Sequence, residues 1–182
     1  NSDDEILIKI PLQPRIERRY NGSATVMRGA LCFSLRIEKD YRKTKLNYDN
    51  YGYKGSVDWE IYPKSDWNYG LLADPGQPDV SFVTVENNIS GYPFADRGDM
   101  IWSPDSSKYI EWNEDPPVII LARGIKIPGW EMKNNSADIP PISPVKSTGE
   151  PEKIILVPYG SAKLRITEFP LTDALFMTMQ ER

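Results

Sequence analysis

Hydrophobic and polar residues alternate with a period of two over much of this chain, the spacing that turns one face of a strand to a core and the other to water. Leu31, Phe33, Leu35 and Ile37 alternate with Cys32, Ser34, Arg36 and Glu38, the clearest half-buried strand in the sequence. Ile6, Ile8 and Ile10 alternate with Leu7 and Lys9 until Pro11. Arg15 to Tyr20 and Ser23 to Met27 flank Asn21-Gly22; both turn residues tolerate positive φ, so a tight hairpin is expected. Val80 to Glu86 reads as a strand after the turn cluster Pro75-Gly76-Gln77-Pro78. The unbroken apolar run Val118 to Ala122 reads as a strand buried on both faces. Lys153 to Val157 and Ala162 to Ile166, on either side of Pro158-Tyr159-Gly160, read as a final strand pair.

Between these runs the chain is irregular. Asp40 to Gly55 is polar and rich in tyrosine, a loop or edge hairpin, and Asn87 to Asp99 is loop-like. Pro128 to Pro151 also carries Pro140, Pro141 and Pro144, too many prolines for a ladder or a helix, and reads as a strap across another surface. Only Thr172 to Met179 hints at helix, with Thr172 as its cap. Many short strands joined by Gly/Pro turns predict an all-β fold, a β-sandwich that is one compact or two-lobed antiparallel unit with very little helix.

At 182 residues the chain is long enough for a real core, burying about 70% of its unfolded surface. A net charge of −4, with 22 basic and 26 acidic residues well mixed, leaves no footprint for nucleic acid. No apolar run approaches the ~20 residues that a membrane helix needs. The opening Asn1-Ser2-Asp3-Asp4-Glu5 lacks the basic and apolar regions of a signal peptide, and its direct entry into a strand pattern is how an excised fragment or a processed protein reads.

The chemistry available is narrow. There is no histidine, which removes Ser-His and Cys-His nucleophile pairs and every histidine-based metal site. The single cysteine excludes an internal disulfide. A glycosidase-like carboxylate pair would draw first on Glu60 and Asp66, which flank tryptophans, or on Glu114-Asp115 after Trp112. Base rates favour solvated carboxylates on strand edges at all of these positions. Three Asn-x-Ser sequons (Asn21, Asn88, Asn134) matter only in a eukaryotic secretory pathway, and Arg97-Gly98-Asp99 is equally good turn chemistry.

Aromatic clustering is the stronger signal. Trp59, Tyr62, Trp67 and Tyr69 lie within eleven residues, beside Asp66 and Asn68. Sugar C–H faces stack on aromatic rings and Asn/Asp side chains bind hydroxyls, so Tyr62, Asp66, Trp67, Asn68 and Tyr69 form a candidate sugar platform. The competing reading is that large aromatics fill sandwich cores and interfaces. Trp59, Ile61 and Pro63 fall on one strand face and Glu60 and Tyr62 on the other, which places Trp59 in the core.

Several motifs carry a family resemblance. Tyr159-Gly160-Ser161-Ala162-Lys163-Leu164-Arg165-Ile166-Thr167-Glu168-Phe169-Pro170 is the most distinctive. With it go Arg28 to Leu35, Trp59 to Leu71, Arg123-Gly124-Ile125-Lys126-Ile127-Pro128-Gly129-Trp130 and Ser143-Pro144-Val145-Lys146-Ser147. In this order, spanning about four fifths of the chain, they resemble the C-terminal region of bacterial β-L-arabinofuranosidase-type glycoside hydrolases. Such enzymes have a helical catalytic barrel followed by β-sandwiches, and the motifs match the part after the barrel.

The resemblance implies a non-catalytic accessory region that supports or assembles with the catalytic barrel, from a bacterial parent that is periplasmic or extracellular. It implies that residues 1–38 and 153–182 form one sandwich lobe with 39–152 inserted as a second; a single domain over 1–182 is the alternative. The related enzymes resemble a zinc-thiolate design, which one cysteine cannot supply, so no cofactor and no catalytic residue carries over to this chain. Cys32 stands at an ordinary packing position and Ser161 where relatives often carry cysteine. The implied partners are the barrel, a second copy of the chain, and plant or glycoprotein glycans. Ile6, Ile8 and Trp130 are the candidate inter-domain contacts. A carbohydrate-binding module is the alternative function.

Overall fold

The structure is a computed structural model that describes residues 7–8, 12–43, 59–88, 100–103, 108–111 and 116–173. Its strands are β1 (Pro14–Arg18), β2 (Ala24–Arg28), β3 (Leu31–Leu35), β4 (Lys39–Lys43), β5 (Trp59–Pro63) and β6 (Tyr69–Leu71). A single helical turn, α1 (Pro78–Ser81), precedes β7 (Val83–Glu86), β8 (Met100–Ser103), β9 (Lys108–Glu111) and the long β10 (Val118–Lys126). Then come β11 (Met132–Lys133), β12 (Ser136–Ala137) and β13 (Glu152–Pro158). The fold is all-β, antiparallel and sandwich-like, with almost no helix among the described residues.

The main sheet has the order β1-β2-β3-β13-β10-β6, and β7 shares the β6 edge of β10. Its curl begins in β3, whose Leu31 and Cys32 pair with β2 while Phe33 to Leu35 pair with β13. The strand therefore passes from one half of the sheet into the other, and the two halves face each other across the core. The run after Ile166 closes the open side. Phe169 exchanges backbone hydrogen bonds with Ala24 of β2, and Leu71 of β6 donates to Pro170 O and accepts from Thr172 N–H. One hydrogen-bonded ring thus runs β2-β3-β13-β10-β6-tail and back to β2.

Inside the ring, Val26, Phe33, Leu35, Leu71, Ile120, Leu156 and Phe169 are 0–2% exposed. This cluster draws on residues 24–37 and 154–171 and also on residues 69–122. Residues from both segments of the chain thus fill one continuous core.

Turn chemistry follows from the backbone. Asn21 and Gly22 do adopt positive φ (55° and 67°), inside a five-residue connection between Arg18 and Ala24. The β2–β3 link is the two-residue turn Gly29-Ala30, with Gly29 at φ 57°. Asn134-Asn135 joins β11 to β12 with φ 52° and 60°, a mirror-image turn that the sequence signals through paired asparagines.

Two expectations are corrected. Val118 to Ala122 is not buried on both faces: Val118, Ile120 and Ala122 point to the core, whereas Leu121 is 38% exposed. Its apolar residues simply continue onto the outer face. Ala162 to Ile166 does not pair with β13, because β10 and β3 already occupy both edges of that strand. It instead turns at Tyr159–Ser161 and covers Ser34, whose hydroxyl accepts from Ile166 N–H at 3.0 Å. Thr172, the expected helix cap, is 3% exposed and bridges Val145. The rest of that expected helix, 174–179, lies outside the described residues, as do most of the expected N-terminal strand and the Asn87 to Asp99 loop beyond Asn88.

The strap runs over its own domain for much of its length. Val145 N–H donates to Leu171 O, Ser143 N–H to Asn21 O, and the Asn21 amide to Pro140 O. Farther on, the Cβ-less Gly149 passes over Ile125. Among the described residues no helix is long and apolar enough to cross a membrane.

Candidate functional site

The segment Ser65 to Leu71 leaves hairpin β4–β5 and enters the short strand β6, so its side chains divide between two places. Trp67 packs edge-to-face on Trp130, with ring centroids 5.3 Å apart and planes at 72°. Asn68 works as a tie, its amide donating to Ile127 O at 3.0 Å and Trp130 O at 3.2 Å. Trp130 is 3% exposed and its indole N–H donates to Asp138 O at 2.7 Å, so its ring is packed inside this chain.

Asp66 and Tyr69 belong to a surface ion cluster. The Lys126 ammonium sits 2.6 Å from Asp66 and 3.3 Å from Glu152, and the Tyr69 hydroxyl donates to Glu152 at 3.0 Å. Burial, then the hydrogen bond to the Glu152 carboxylate, pushes the Tyr69 phenol up to about 12. Hydrogen bonds to Asp66 and Glu152 raise Lys126 above the ordinary lysine range.

A groove of about 450 Å³ is lined by Trp67 but not by the ion-cluster residues Asp66, Tyr69, Lys126 and Glu152. Besides Ile37 and Trp67, its described walls come from β5 with Glu60 and Tyr62, the β11–β12 hairpin with Asn135 and Ser136, and the run Lys163 to Ile166. Tyr62 is 38% exposed, and its ring carries the Arg42 guanidinium 4.1 Å from its centroid. Its hydroxyl donates to Glu60 at 2.9 Å, and that hydrogen bond is the main reason its pKa is raised. Arg165 lies over the Tyr159 ring at 4.4 Å and donates through Nε to Tyr159 O.

Of the five expected sugar contacts, the structure brings Tyr62 and Trp67 together in the groove and places Asp66, Asn68 and Tyr69 outside its lining. Glu60 and Asp66 fall in different clusters, while Trp112, Glu114, Asp115 and Arg97-Gly98-Asp99 lie outside the described residues. Lys163, Arg165, Asn135 and Ser136 were not singled out as site residues; the available signal was Lys163 and Arg165 alternating with Ala162, Leu164 and Ile166. Of the expected inter-domain contacts, Ile8 is 76% exposed and Ile6 is outside the described residues.

A second surface feature lies on the outer face of the sheet. Leu121 stands opposite Val83 and Ile155, and Ile119 opposite Val85, so five apolar residues share the face turned away from the core. Val83 is 61% exposed there. The strap covers this face at Ile125, by way of Gly149.

Cys32 is half-buried and unpaired, and burial raises its thiol pKa. Among the described residues no group of three or more His, Cys, Asp or Glu is placed to hold a metal ion. No protein-family profile, no curated protein and no solved structure matches this chain.

Proposed function

We propose that this chain is a non-catalytic β-sandwich accessory region of a glycoside hydrolase of the β-L-arabinofuranosidase type, and that it packs against the catalytic barrel. The resembling motifs supply the family. The observation that carries the packing role is the apolar outer face of β7, β10 and β13, where Val83 and Leu121 remain exposed beside Ile155. Exposed apolar patches of a few hundred Å² are typical contact sites.

The test is titration of the purified chain with a catalytic barrel from an enzyme of the resembled family. Binding is expected, and Leu121→Glu should weaken it by about tenfold or more, since a charge buried in an apolar contact has no partner. Failure to bind, or binding indifferent to Leu121→Glu, removes this reading. The chain alone should release only background product from aryl arabinofuranosides. Activity that survives repurification and vanishes in Glu60→Gln would contradict the non-catalytic role.

A second reading, glycan binding, is favoured by the groove that joins Tyr62 and Trp67. Its volume lies within the ~300–1,000 Å³ of ordinary small-ligand sites, and its mix of rings with a few polar groups suits a sugar.

A further inference from the structure

Resting on the glycan reading, we infer that the groove selects oligosaccharides that carry carboxylates, of the uronic-acid class. The placement of Arg165 in its wall carries the argument. Arg165 lines the groove, and Glu60, the carboxylate among its described lining residues, already accepts the Tyr62 hydroxyl.

Arg165 is also held in place. Its Nε donates to Tyr159 O at 3.2 Å and its guanidinium rests on the Tyr159 ring, which leaves its Nη atoms without a hydrogen-bond partner among the described residues. A planar guanidinium fixed at one edge presents the other as a fork matched to a carboxylate. Tyr62 and Trp67 offer the apolar faces on which a pyranose ring stacks, and Asn135 and Ser136 offer donors and acceptors for hydroxyls. A neutral sugar uses the rings and hydroxyl partners alone; a uronide uses the Arg165 guanidinium as well.

The experiment measures calorimetric binding of the whole chain to tetragalacturonate, to its fully methyl-esterified form and to a neutral arabino-oligosaccharide. Tetragalacturonate should bind at least about tenfold more tightly than its ester, an advantage that shrinks as salt rises. Arg165→Gln should bring the acid down to the affinity of the ester, and Tyr62→Ala should weaken both. Tyr62 is exposed and Arg165 sits on the surface, so thermal melting is expected to confirm that both variants fold.

Equal binding of acid and ester overturns the acid preference and leaves the glycan reading standing. Binding of none of the three overturns both. Acid binding that ignores both substitutions places the attraction elsewhere on the surface and overturns the assignment of the groove.

Discussion

Phe169 and Ala24 exchange both backbone hydrogen bonds, at 2.9 Å and 2.7 Å, and each is 0% exposed. This pairing joins the tail to β2, while the next residues join it to β6. The side chain of Phe169 also fills the centre of the ring. Phe169→Ala should therefore cost about 3–5 kcal/mol, the range for deleting a large buried aromatic. Urea unfolding followed by tryptophan fluorescence measures it; a loss below 1 kcal/mol would show that the tail adds little to the core.

Gly70 tests the same closure from the other side. A Cβ built there would lie 2.5 Å from Thr172 Cγ2, and Thr172 is too buried to swing away. Gly70→Ala is expected to destabilise by about 1–3 kcal/mol through overpacking. Adding Thr172→Ser, which removes the clashing methyl, should recover part of that loss in a double-mutant cycle.

Trp130→Ala removes an indole that is 3% exposed, its edge-to-face partner Trp67 and its hydrogen bond to Asp138. A loss of about 3–5 kcal/mol is expected, against no more than about 0.5 kcal/mol for Lys133→Ala on the exposed hairpin. Near-ultraviolet circular dichroism should also lose the signal of the tryptophan pair.

Alkaline pH should weaken the fold through Tyr69. Its phenol is pushed up to about 12 in the folded chain, against an ordinary value of 10.0. Below about pH 10 both folded and unfolded chains keep this proton and the stabilisation is complete. Between there and about 12 only the unfolded chain releases it, so stability falls as pH rises. The raised pKa of Lys126 has the same sign. Denaturant midpoints measured from pH 8 to 11.5 should decline less steeply for Tyr69→Phe.

The sequence made the strand pattern legible where one face is solvent and the other core, as at Leu31 to Ile37. Ser34 escaped that logic: it looks like the polar face of a strand, yet it is 0% exposed because the run to Ile166 covers it. The ring closure was illegible for a related reason. Phe169-Pro170-Leu171 has no alternation, and its partners Ala24 and Leu71 are distant in sequence. In the groove, local clustering revealed Tyr62 and Trp67, whereas Lys163 and Arg165 arrive from the far end of the chain by tertiary folding. Asp66 and Tyr69 shared the same aromatic segment but face Lys126, a division set by the entry into β6 that composition cannot express.

The tail that completes the ring is also among the last described residues to be synthesised. Until residues 169–172 leave the ribosome, the edges of β2 and β6 that they will occupy are without these partners. Domains usually fold as units as they emerge, but this one cannot finish until nearly all of its described length is outside the exit tunnel. Its distant pairings also belong to the slow end of the folding-rate scale. A nascent chain halted just before Glu168 should therefore carry two strand edges open to neighbouring chains on the same message.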